Sequence, residues 1–87
     1  ALLIPPPLDI IQPTNNAVTT SPVTIEGKTS SDSLITLDPQ ITVKPDPSGN
    51  FLTELQLSPG AHDLKITATN RFSQSVTKSL SITVISQ

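Results

Sequence analysis

The chain has 87 residues, two Phe, no Cys, Met, Trp or Tyr, and a formal net charge of −2. This length holds one small domain, and the lack of Cys excludes a disulfide framework, a thiolate metal site and a cysteine nucleophile. The basic residues Lys28, Lys44, Lys65, Arg71 and Lys78 are widely spaced and aromatic side chains are scarce, which argues against a nucleic-acid platform; no apolar run approaches a membrane span or a signal peptide.

The opening ALLIPPP reads as a semi-rigid linker over residues 1–7, because three successive prolines favour an extended path and cannot enter a helix interior. The single domain is expected over residues 8–87. LDIIQP then reads as a short edge strand closed by Pro13, followed by a turn or loop at Asn15 and Asn16. From there apolar residues recur at every second position. PVTIEG puts Val23 and Ile25 on one face, SLITL puts Ile35 and Leu37 together, and ITVK aligns Ile41 with Val43. FLTELQL aligns Phe51, Leu55 and Leu57, HDLKITATN aligns Leu64, Ile66 and Ala68, and VTKSLSITV aligns Leu80, Ile82 and Val84.

Breakers separate these runs: Gly27 with SSDS at 30–33, Asp38-Pro39, DPSG at 46–49, SPG at 58–60 and NRFS at 70–73. No window carries a sustained stripe at helical spacing, and Ser and Thr fill the outward positions. Short strands with turn signals at this spacing predict an all-β, seven-stranded antiparallel sandwich. Its expected core is Val23, Ile25, Ile35, Leu37, Phe51, Leu55, Leu57, Leu64, Ile66, Ala68, Leu80, Ile82 and Val84.

With the strands placed, PSGNFLTELQLSPGAHDLKITATN at 47–70 resembles the signature of bacterial Ig-like domains of the kind associated with domain B of glucodextranase. Gly49, Phe51, Leu57, Gly60, Leu64, Ile66, Ala68 and Asn70 carry the resemblance. Upstream, IIQPTNNAVTTSPVTIEGKTSSDSLITL matches the opening strand, the Pro-Thr-Asn loop and the strand ending in Gly27. RFSQSV departs from the usual Ala-Gly-Asn turn, and Asp38-Pro39 stands where members often carry Asn-Gly. The resemblance covers residues 8–85 and implies an immunoglobulin-like (fibronectin III-like) sandwich. It further implies a non-catalytic module of an extracellular or surface-anchored bacterial protein.

The chemistry-bearing residues are few. Asp46, Ser48 and Asn50 present alternate oxygens, as some calcium loops do, but they supply one carboxylate where a hard cation wants several. A hairpin corner accounts for them better, with Asp46 capping, Pro47 at the first corner and Gly49 at positive φ. His62 is the only histidine and begins a strand, so neither a catalytic triad nor a zinc site assembles around it. Glu26 and Glu54 fall on outward positions, where charge keeps a sheet soluble, and no aromatic platform accompanies them. Lys44 and Lys78 lie on expected strands and are the candidate lysines for an isopeptide crosslink, Lys78 being in phase with the inward set of the last strand, although from near a strand end its stem reaches water.

The expected role is a structural spacer or interaction module that is not an enzyme and needs no cofactor. Its expected partners are neighbouring domains of the parent chain, with cell-wall glycan or a surface protein as further partners, and the chain is expected to be a monomer. An alternative is an adhesion module that binds glycan or protein through end loops containing Asn15, Asn16, Ser31, Asp32, Arg71 and Phe72, or through an edge strand. A small enzyme ranks last.

Overall fold

The computed structural model describes residues 5–37 and 41–85. Residues 1–4 of the expected linker, the Asp38-Pro39 turn and the last two residues of the expected domain lie outside the described residues. Eight strands form: β1 (Asp9–Gln12), β2 (Ala17–Thr20), β3 (Val23–Lys28), β4 (Leu34–Leu37), β5 (Ile41–Val43), β6 (Asn50–Leu55), β7 (Gly60–Thr69) and β8 (Ser75–Ile85). They pair as two sheets, β1-β3-β6 and β2-β8-β7-β4-β5, which face each other as a sandwich.

The period-two alternation is the cause of this arrangement, since a strand can bury one face only by laying it on another sheet. Val23, Ile25, Phe51 and Leu55 of the small sheet meet Ile35, Leu37, Leu64, Ile66, Ala68, Ile82 and Val84 of the large one in one continuous core. These are eleven of the thirteen expected core residues. Leu57 and Leu80 pack against that core but are only partly buried. Leu57 lies beyond the end of β6, and Leu80 lies on β8 opposite the buried Leu64. Leu8, assigned to the opening strand, is buried just before β1.

Two features differ from a seven-stranded antiparallel sandwich. AVTT at 17–20, left without a strand between the Asn15–Asn16 turn and Val23, is an eighth strand, and this β2 pairs with β8 in parallel, with Val18 opposite Thr83. The chain runs down the edge of the small sheet as β1, changes sheets through residues 13–16, and continues along the edge of the large sheet. The change is fixed by asparagines: Asn16 has φ 66, its N–H donates to the Ser81 carbonyl at 2.6 Å, and the Asn15 Oδ1 accepts from the Ser81 N–H at 2.9 Å.

The second difference is at DPSG. The turn does not join hairpin partners, because β5 belongs to the large sheet and β6 to the small one. It is a corner between sheets. Asp46 N–H donates to the Asn50 carbonyl at 2.9 Å, and the Asp46 Oδ1 accepts from the N–H groups of Ser48 and Asn50, each at 2.9 Å. Gly49 sits at φ +86 with Thr29 backbone against the position a Cβ would take. The corner therefore occupies the backbone groups at the start of β6, which blunts that edge against strand addition.

The strand registers also set where the chain enters and leaves. Asp9 pairs with Lys28, and Lys28 with Asn50, so the first described residues lie beside the 29–33 and 46–49 loops. Ile85 pairs with Thr20, and Val84 with Gly60, at the other end. Pro6 is buried and Thr29 Oγ1 donates to the Pro7 carbonyl at 2.6 Å, so the entering chain is held against the sandwich. The body measures 50 × 21 × 20 Å along its principal axes.

Candidate functional site

The six loop residues expected to act together separate into two places. Ser31 and Asp32 of the β3–β4 loop and Arg71 and Phe72 of the β7–β8 turn share the entry end, because Leu34 pairs with Thr69 immediately beneath them. Asn15 and Asn16 do not join them. They sit halfway along the rod against Ser81, which pairs with Asp63, and their polarity serves the sheet change.

The β7–β8 turn is built by one side chain. Asn70 Oδ1 accepts from the N–H groups of Phe72 and Gln74 at 2.9 and 3.0 Å, and its Nδ2 donates to Gln74 Oε1 at 3.2 Å. Ser73 takes φ 64 to close the turn. This presents Phe72 outward at 50% exposure, with the Arg71 guanidinium 5.0 Å from its ring centroid. Arg71 Nε also lies 3.6 Å from Asp32 Oδ2. Both charges are solvent-accessible, so this pair adds little stability. The β3–β4 loop is held separately, by a Ser30–Ser33 hydroxyl pair at 2.6 Å.

No catalytic constellation forms among the described residues. His62 lies on β7, half-buried, with Nε2 2.7 Å from the Ser58 carbonyl, and Asp63 points to the opposite face, accepting from Ser81 Oγ at 2.9 Å. Glu26 and Glu54 both face outward on the small sheet, Glu26 accepting from Gln12 Nε2 at 2.8 Å. Lys44 and Lys78 are exposed, whereas an isopeptide crosslink needs a buried lysine. Asp46 and Asn50 are committed to the corner described above, and Ser48 contributes its N–H to it. The described residues contain no group of three or more His, Asp or Glu able to hold a metal ion.

Where β4 and β6 finish and β5 begins, level with Leu64 and Lys65 near the middle of β7, lies a hollow of about 150 Å³. Leu37, Ile41, Leu55, Leu57 and Leu64 line its apolar part, and Glu54, Gln56 and Lys65 its polar part. Sequence reasoning missed this feature. Its only trace was Leu57, an apolar residue that keeps phase with β6 but lies past its end.

No family model and no curated protein matches the chain. Solved structures do match in fold. The fibronectin(III)-like modules of Clostridium thermocellum CbhA align over 99% of this chain and 50% of that chain, at 16% identity and a TM-score of 0.72. An endo-β-1,4-mannanase from Thermotoga petrophila aligns over 98% of this chain and 21% of its own, at 10% identity and 0.72. The BIgI domain of the beta protein from S. agalactiae, bound to CEACAM1, aligns over 93% of this chain and 99% of its own, at 18% identity and 0.54. At these identities the likeness is one of fold: the chain has a fibronectin III-like, immunoglobulin-like sandwich, and it spans half the length of the first of these neighbours and about a fifth of the second.

Proposed function

We propose that the chain is a non-catalytic structural spacer in an extracellular or surface-anchored bacterial protein, related to the bacterial Ig-like domains that its 47–70 motif resembles. The observation that carries this is the placement of chain entry and exit at opposite ends of a body 50 Å long and about 20 Å across. A unit built so adds length between whatever precedes and follows it. Pro6 and the Thr29–Pro7 bond support it further, since they fix the direction in which the chain arrives. Fold neighbours that occur as parts of longer bacterial chains fit the same role.

The test is replacement in the parent protein. An unrelated rigid β-sandwich of similar length, with its termini at opposite ends, should preserve the parent's function, whereas deletion should impair it. Loss of function on replacement despite normal folding would overturn the spacer reading. It would favour instead a module that binds a surface protein through the entry-end loops, a reading supported by exposed Phe72 with Arg71 and Asp32 beside it.

A further inference from the structure

β8 runs for 11 residues, but β2 accompanies only its last part, residues 82–85. Ser81 shows which way the backbone groups above that point are turned. Its carbonyl accepts from the Asn16 N–H and its own N–H donates to Asn15 Oδ1, both on the side away from β7. Backbone groups alternate along a strand, so those of Ser79, Thr77 and Ser75 face the same way. Among the described residues no strand lies on that side. The other edges are blunted. β2 and β5 have only four and three residues, β1 shifts register between Ile10 and Gln12, and the Asp46 corner occupies the start of β6. The first half of β8 is therefore an open edge in line with β2.

The side chains on this edge limit what can add to it. Val76, Lys78 and Leu80 are in phase with buried Ile82 and Val84, and they stand opposite buried Ala68, Ile66 and Leu64 of β7. Val76 and Leu80 are nonetheless half-buried, and Lys78 is exposed. An apolar strand laid there would set its middle residue against the Lys78 ammonium, and a basic one would be repelled. A carboxylate at that position pairs with it. Lys78 thus rejects most extended chains from an edge whose backbone would accept any of them.

We propose that residues 75–80 of β8 are a docking edge for an extended segment of a partner protein whose alternate residues read apolar, acidic, apolar. The segment adds to the large sheet as a strand in line with β2. Its backbone bonds the free groups of Ser75, Thr77 and Ser79, its carboxylate faces Lys78, and its apolar residues lie beside Val76 and Leu80. The backbone bonds supply most of the attraction, and Lys78 supplies the choice of partner.

This site is additional to the spacing role, and its test reads only peptide binding by the 87-residue chain, so its failure leaves the spacer reading standing. The probe is the capped peptide TVTETVT, whose sequence is the same in both directions and so serves either strand polarity. Titrated to millimolar concentration and followed by amide NMR and hydrogen exchange, it should bind saturably. It should shift and protect the N–H groups of Ser75, Thr77 and Ser79. Replacing the peptide's Glu by Lys should weaken binding by about fivefold. Lys78→Glu should reverse that preference without lowering the melting temperature, because the Lys78 side chain is exposed. The same peptide methylated at its internal backbone nitrogens should not bind. Any of five results overturns the docking edge: no saturable shift, shifts centred on Phe72 or on another strand, equal affinity for the Glu and Lys peptides, binding that survives backbone methylation, or a free chain that already dimerises through residues 75–80.

Discussion

Phe51 and Gly27 face each other across the β3–β6 pair, and their coupling tests the register of the small sheet. Phe51 is 2% exposed, and a Cβ added at Gly27 would lie 2.5 Å from its Cζ and 2.9 Å from its Cε2. The ring thus fills the space that the missing side chain leaves. Phe51→Ala should cost about 3–5 kcal/mol through lost burial and the cavity left behind. A domain of this size holds about 4–13 kcal/mol in total, so the variant loses a large part of its stability and melts about 12–40 °C lower. Gly27→Ala should also destabilise the native chain, since its methyl group meets the ring and the Asp9 carbonyl oxygen. In the Phe51→Ala background the ring is gone and only the Asp9 obstacle remains. The double-mutant cycle by urea denaturation should therefore show Gly27→Ala costing less there, with a coupling of about 0.5–3 kcal/mol. Equal costs in both backgrounds, or a Phe51→Ala variant that melts with the native chain, would refute this packing.

Gly49→Ala forces a side chain into φ +86 against Thr29 backbone and should cost about 2 kcal/mol or more in urea denaturation; a neutral substitution would contradict the described corner. Asn15→Ala removes the acceptor for Ser81 N–H and should cost about 1 kcal/mol, with amide exchange accelerating first in β2; unchanged exchange there would remove its role in the sheet change. Arg71→Ala should alter stability by less than about 0.5 kcal/mol, because the pair with Asp32 is solvent-exposed. Millimolar calcium should leave the melting temperature unmoved, since Asp46 supplies one carboxylate and its Oδ1 already serves two backbone donors; a rise reversed by chelator would restore the cation reading.

Most of the sandwich was legible because its signal is local. Val23–Ile25, Ile35–Leu37, Leu64–Ala68 and Ile82–Val84 alternate against Ser, Thr and charged residues, and one buried face per strand follows directly from that contrast. AVTT at 17–20 lacks the contrast: Val18 points to solvent, and Ala17, Thr19 and Thr20 are half-buried, so an edge strand there looks like a loop. DPSG was readable as a corner but not as a link between sheets, because a turn's residues specify local backbone geometry and not which sheet receives the next strand. Asn15 and Asn16 looked like surface loop for a similar reason, since a polar residue that hydrogen-bonds a neighbouring strand has the same composition as one left in water. The hollow below Leu57 depends on where β4 and β6 stop, which alternation does not encode.

The proposed spacer role is tested most directly in a longer protein that carries this chain between two domains, by energy transfer between labels placed on each of them. With residues 5–85 removed and the two sides joined, a spacer predicts a shortening by a large part of the 50 Å length. An unchanged distance would show that the module lies beside the line joining its neighbours and does not separate them.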